Sequence, residues 1–172
     1  EAMGFCFANN VAIAAQDALD SGAADRVAVV DWDVHHGNGT QEIFADREDV
    51  LFVSLHESGL FPGTGMLDEI GQGDGEGATV NVPLPAGGDD ADYQAVFQGI
   101  VTPAVTHFDP DLLLVSAGFD AHKGDPISRM RVSTEGFGVL TTIVREIAGL
   151  VDAPLAFVLE GGYSLDALSE SV

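Results

Sequence analysis

The sequence predicts an α/β domain, with helices packed on both faces of a mostly parallel sheet in three layers. Three observations carry that prediction. Short, nearly continuous apolar runs recur at Val27–Val30, Leu51–Leu55, Leu112–Val115 and Leu155–Leu159, the pattern of parallel strands covered on both faces. Helical patterns separate these runs. Polar residues gather just after them, where α/β sheets bind ligands.

The elements follow in order. Phe7–Asp20 is alanine-rich and is expected to be helical, with Gly22 as its stop. Val27–Val30 and Leu51–Leu55 are the first two strands, and Thr79–Leu84 is a weaker candidate that ends at Pro85. The glycine-rich stretch Gly71–Gly77 lacks the strand–helix setting of a nucleotide-binding loop and is expected at the surface. Asp90–Phe108 carries Tyr93, Val96, Phe97 and Ile100 at helical spacing, with Pro103 expected to kink or end part of it. Leu112–Val115 follows as a strand. Ser133–Leu150 opens with Ser-Thr-Glu, which predicts an N-cap with an acid in the first turn. Leu155–Leu159 closes the sheet. No repeat or linker interrupts the chain, so its 172 residues are read as one domain.

Composition narrows the function classes. No apolar run approaches the length of a membrane span. The opening Glu-Ala-Met-Gly lacks the basic region of a signal peptide, and a cytoplasmic setting is expected. A single cysteine, Cys6, excludes an internal disulfide framework and a cysteine-built zinc site. Flanked by Phe5 and Phe7, it is expected to be buried and inert. Net charge is −22, from 28 acids against 6 bases. The acids are spread through loops and helices, which points to a surface adapted to high salt and argues against direct nucleic-acid binding.

The densest chemical signal is Asp31-Trp32-Asp33-Val34-His35-His36-Gly37-Asn38-Gly39, directly after the first apolar run. An extended backbone there places Asp31, Asp33 and His35 on one side. Oxygen, oxygen and nitrogen donors without cysteine suit a catalytic zinc with an open position better than a structural zinc. Ser54 and His56 finish the second run, Ser116-Ala-Gly-Phe-Asp120-Ala-His122 follows the Leu112–Val115 run, and Glu160-Gly-Gly-Tyr163 follows the last. Four strand ends converging on one edge predict an active site.

These segments resemble the zinc-dependent histone deacetylase superfamily, including its acetoin-utilisation and acetylpolyamine amidohydrolase branches. The matching stretches are Ala2–Asn10, Val30–Thr40, Ser54–His56 with Phe61–Gly65, Val80–Leu84, Ser116–Pro126 and Leu159–Tyr163, in the family's order. The wording is most similar to the bacterial, archaeal and class II-like members. The resemblance implies the arginase/deacetylase-like fold and hydrolysis of N-acetyl amides, on acetyl-lysine in proteins or on small acetylated amines such as polyamines, releasing acetate.

It implies zinc on Asp33, His35 and Asp120, with Asp31 behind them. It also implies a potassium ion near Asp31, Asp33, His35, Ser54 and Leu55, partly through backbone carbonyls. Gly4, Phe5, Phe61 and Gly162 would contact substrate, with Gly4, Phe5 and Phe61 lining a narrow apolar tunnel. Tyr163 would donate its hydroxyl to the scissile carbonyl. Phe5 and Phe61 also fit ordinary core aromatics, and Tyr163 a turn tyrosine. His36 and His56 read as hydrogen-bonded structural histidines, His107 as a helix-end residue, and Asp125-Pro126 as a loop-shaping turn. The arginase pattern, D-x-H-x-D and later D-x-D-x-x-D-P, fails here. Gly37 and His122 stand where ligands of a second metal belong.

One departure bears on activity. Active members of the family carry paired histidines just before the segment that opens this chain, so the sequence is expected to be the central and C-terminal part of a longer domain. Alone it is expected to be inactive for want of that general base. The competing expectation is a non-catalytic protein that retains metal or acetyl-lysine binding.

Overall fold

A computed structural model describes residues 3–172; Ala2, where the first of the resembling segments begins, lies outside them. Helix α1 (Asn10–Asp20) leads to β1 (Val27–Asp31), then α2 (Asn38–Phe44), β2 (Val50–Glu57) and β3 (Thr79–Leu84). Helices α3 (Asp90–Val96) and α4 (Thr102–Phe108), β4 (Leu112–Ala117), α5 (Thr134–Leu150), β5 (Leu155–Leu159) and α6 (Leu165–Ser171) complete the chain. The five strands are all parallel and lie in the order β3-β2-β1-β4-β5. Their carboxyl ends therefore share one edge.

Alternation along β1 divides the core. Ala28 and Val30 face a large cluster with Trp32, Tyr93, Phe97 and Phe137, under α3 to α5. Val27 and Val29 face a smaller one with Val11, Ala15, Phe44 and Phe52, under α1 and α2. Each such side chain removed from water contributes about 1.5–3 kcal/mol, which is what fixes the strand register. The three-layer α/β prediction holds.

Several elements differ in detail. The first helix begins at Asn10, because the Asn9 side chain accepts a hydrogen bond from the Ala12 amide and caps it. Met3 to Cys6 closes a turn instead, with Gly4 and Phe5 at positive φ, so Phe5, Cys6 and Phe7 stand exposed. Cys6 is thus not buried, contrary to expectation: the turn gives it no layer to pack into. Asp90–Phe108 is one helical run interrupted by a wide π-type turn, Phe97–Val101. Pro103, which follows, has no N–H to return to the preceding turn, while the Thr102 hydroxyl donates to the Phe97 carbonyl at 2.8 Å. Ser133 caps α5 through the Gly136 amide, as predicted.

Strands β1 and β2 are buried throughout, but β5 is not covered on both faces as expected. Among the described residues it is one of the two edge strands, with Phe157 45% and Leu159 58% exposed. No helix among the described residues is long and apolar enough to cross a membrane.

Candidate metal centre

The strand β1 ends at Asp31, so Asp33 and His35 do not lie on the extended backbone that simple alternation assumes. Short-range turns bring them round instead. Asp31 Oδ1 accepts the Asp33 amide at 3.1 Å, and Asp33 Oδ1 accepts the His35 amide at 2.8 Å. Each aspartate bonds the main chain two residues on, a local turn that needs no sheet. Asp120 enters from the loop after β4, where its Oδ1 accepts the Val34 amide at 2.9 Å. The loop after β5 adds the Gly161 amide, which donates to Asp33 Oδ2 at 2.9 Å.

One donor atom from each of Asp33, His35 and Asp120 then lies within 4.8 Å of the others. His35 Nδ1 is 3.1 Å from Asp33 Oδ1, as a hydrogen bond, and 3.0 Å from Asp120 Oδ2. The second approach lacks hydrogen-bond geometry, which leaves Asp120 Oδ2 fully buried without a hydrogen-bond partner. An orphaned buried carboxylate oxygen is costly unless a cation meets it. Burial disfavours a charged imidazole here, but the close approach and negative charge of Asp120 and Asp33 outweigh it and push His35 up to about 10. Burial lifts Asp120 to about 6 against the pull of His35. The three residues therefore bring together donor atoms that would hold a cation, either a proton on His35 or a metal in its place. Their O, O, N set fits a zinc site with an open position.

Glycines permit this packing. A methyl group at Gly161 would collide with Asp120 Oδ2 and with Asp33 Oδ2, and one at Gly118 with Asp33. Neither requirement is visible in local sequence, since it depends on a loop from another strand.

The remaining predicted residues fall around this centre in different ways. Asp31 is buried beside it and is paired across the sheet with Ser54, next to the fully buried Leu55. Burial, and then the charge of Asp33, raise Asp31 well above the usual carboxylate range. Phe61 approaches His35 edge-on, with ring centres 6.5 Å apart. Phe5 meets Tyr163 edge-on at 6.0 Å. Neither Phe5 nor Phe61 is a core aromatic, being 90% and 54% exposed. Gly4 adopts φ +62°, and Gly162 adopts φ +146° against Phe119 and Leu168. Tyr163 is 40% exposed. Burial and the charges of Asp120, Asp33 and Asp125 push its phenol up to about 12, so it is a proton donor at neutral pH.

His36 and His56 are hydrogen-bonded, as expected. His36 bonds Thr64 and Gln41, while His56 bonds Ser54 and donates to the Gly65 carbonyl, with the two rings 4.9 Å apart. Two carboxylates carry more than the sequence suggested. Asp125 receives the Tyr163 amide at 2.7 Å. Glu57, wholly buried, accepts both the backbone amide and the guanidinium of Arg129.

The family model for the histone deacetylase domain matches residues 1–172. Histone deacetylase 10, chloroplastic, of Oryza sativa subsp. japonica is 45% identical over 171 residues, covering 99% of this chain and 39% of that protein. The histone deacetylase-like amidohydrolase of Pseudomonas aeruginosa is 48% identical over 167 residues, covering 95% of this chain and 44% of that protein. The crystal structure of the HDA15 HD domain superposes with a TM-score of 0.93 at 46% identity, over 99% of this chain and 49% of that one. An acetylpolyamine aminohydrolase from Burkholderia pseudomallei gives 0.90 at 41% identity, over 99% of this chain and 48% of that one. The chain therefore spans about two fifths of these curated relatives and about half of these solved chains. Matched along its whole length by the family model, and sharing the fold of those structures, the chain belongs to the histone deacetylase domain family.

Proposed function

We propose that this chain carries the metal-binding and oxyanion-stabilising part of a zinc-dependent hydrolase of N-acetyl amides. The observation that carries the reading is the convergence of Asp33, His35 and the buried, unpartnered Asp120 Oδ2 on one point. Zinc bound there would supply a Lewis acid for the amide carbonyl and lower the pKa of water toward about 7. The chain's own residues supply the rest. Asp33 and Asp120 keep their charge aimed inward because main-chain amides hold their other oxygens. Tyr163, kept protonated, donates a hydrogen bond to the oxygen on which charge develops. Phe5 and Phe61 offer apolar rings to the acetylated arm. A potassium ion beside Asp31, Ser54 and Leu55 would offset the charge of a carboxylate already disfavoured by burial.

The substrate class is an acetylated amine, either acetyl-lysine in a protein or an acetylated polyamine. Relatives named for each lie at similar identity. The acid-rich surface, at net charge −22, would attract such cationic partners and suits a solution of high salt.

A second reading, binding without turnover, is favoured by one observation. Of the four other histidines, His107 lies in the last turn of α4, and His36, His56 and His122 are held by Thr64 and Gln41, by Ser54 and Gly65, and by Gly124 and Thr134. Those three are not free to act as a general base, whose loss costs about 10²–10⁴ in rate.

Zinc titration and a reporter assay test both readings. The chain should bind about one zinc, as this ligand class does, and Asp120→Ala should bind none while keeping its circular dichroism. Hydrolysis of an acetyl-lysine reporter by the chain should be slow and should rise with added imidazole. It should fall about 10²–10³-fold in Tyr163→Phe. Zinc retained by Asp120→Ala defeats the metal assignment. Zinc bound with no imidazole-dependent turnover favours binding alone.

A further inference from the structure

The loop between β4 and α5 carries a second carboxylate that belongs to no metal cluster. Asp125 is 9% exposed and reaches the segment after β5, 38 residues away. Its Oδ2 accepts two successive amides, Tyr163 at 2.7 Å and Ser164 at 3.3 Å. Its Oδ1 accepts the Ile127 amide at 3.0 Å, and its own amide donates to the His122 carbonyl at 2.8 Å. The loop that bears it is fastened on both sides. Ser128 Oγ donates to the Asp120 carbonyl at 2.5 Å, and the Arg129 amide donates to buried Glu57 at 2.9 Å. The Phe119 amide adds a bond to the Gly161 carbonyl at 2.7 Å.

Tyr163 itself lies between Gly162 and Ser164, whose side chain caps α6 through the Ala167 amide. It follows Gly162, whose φ of +146° only glycine adopts comfortably, and its ring is 40% exposed with Phe5 as its aromatic neighbour. A tyrosine on a glycine turn samples many directions unless its backbone is pinned. A carboxylate is the strongest side-chain acceptor for that task, because charge-assisted hydrogen bonds are shorter and stronger than neutral ones.

We propose that Asp125 is the positioning residue of Tyr163, fixing the turn that aims the phenol by gripping the Tyr163 and Ser164 amides. This rests on the reading of Tyr163 as the hydroxyl donor only for its effect on hydrolysis; the anchoring stands by itself. Asparagine can satisfy only part of the role, since one of its two terminal atoms is a donor, and alanine satisfies none.

The chain contains two tyrosines, which makes the test direct. Chain labelled with 3-fluorotyrosine gives two fluorine resonances, assigned by their loss in Tyr163→Phe. Asp125→Ala should narrow the Tyr163 resonance and move it toward free fluorotyrosine, with Asp125→Asn intermediate and the buried Tyr93 resonance unchanged in both. Should Asp125→Ala also disturb Tyr93, Asp125→Asn alone decides. A Tyr163 resonance unmoved in a folded Asp125 variant overturns the proposal.

In the reporter assay, Asp125→Ala should lower kcat about tenfold with KM and zinc content unchanged, and should cost nothing further in a Tyr163→Phe background. Additive losses in that pair would mean that Asp125 acts elsewhere and overturn the proposal. Unchanged turnover in Tyr163→Phe with a shifted fluorine signal in Asp125→Ala would retire the hydrolytic role of Tyr163 and leave the anchoring intact.

Discussion

Asp33 and Asp120 sit at the carboxyl edge of the sheet with three main-chain amides directed at their oxygens. Phe5, Phe61 and Tyr163 stand nearby with half or more of most rings in solvent. The two regions serve one proposed reaction but are ordered by different means. A charge taken out of water needs a donor for each lone pair not meant for the metal, so the ligands are tied to backbone that the sheet already holds. The rings need no such compensation and are held by one edge contact each. Loss of stability on substitution should therefore be concentrated in the ligand floor, and the rim should change activity with little effect on stability.

The sharpest way to break the floor without touching a ligand is Gly161→Ala. The added methyl would overlap carboxylate oxygens of both Asp33 and Asp120. Overpacking of this kind costs about 1–3 kcal/mol, and the displaced oxygens should weaken zinc binding more than tenfold. A thermal melt and a zinc titration read the two effects, and a variant with unaltered zinc affinity would show that the close approach does not matter.

Proton release sharpens the same point. Without metal, His35 titrates at about 10, so it is protonated at pH 7 and zinc must displace that proton. Calorimetry in buffers of different ionisation enthalpy should show at least one proton released per zinc between pH 7 and 9, that of His35, with any from bound water added to it. The number should rise below pH 6, where Asp120 is also protonated, and fall as the pH passes 10. No release at pH 7 would remove His35 from the ligand set.

Salt acts on neither region in particular. Self-repulsion of 28 acids against 6 bases should ease as KCl approaches 1 M, where the Debye length is about 3 Å. The melting temperature should climb with it, and a melt indifferent to salt would contradict a salt-adapted surface.

The smallest effect on stability belongs to the rim. Phe61→Ala and Phe5→Ala should change stability by within about 0.5 kcal/mol, as exposed sites do, while raising KM for an acetylated substrate. A large destabilisation would mean that these rings are packing residues after all.

Much of this contrast was legible in the sequence, and the exceptions share a cause. β3 and β5 were readable at their observed bounds, although the apolar run of β5 overstated its burial. Asp33, His35 and Asp120 were readable as a set through the resemblance, yet the reason they meet was not. Alternation along a strand suggested a shared face, whereas successive aspartate turns after Asp31 do the work. The role of Asp125 was hidden because its partner lies in the next crossover, so an Asp-Pro pair looks like a turn and no more. Gly118 and Gly161 were silent for the same reason. The exposure of Cys6 escaped notice because aromatic neighbours suggest burial only when a layer exists to receive them.

The open side of β5 has a further consequence for handling the chain. Among the described residues nothing pairs with the outer side of Leu155–Leu159, an uncharged, apolar strand without the lysines, prolines or bulges that blunt most edges. Mutual repulsion between highly charged chains keeps such edges apart in dilute buffer. The molar salt that relieves strain within one molecule removes that barrier between molecules, so refolding yield and colloidal stability pull toward different ionic strengths.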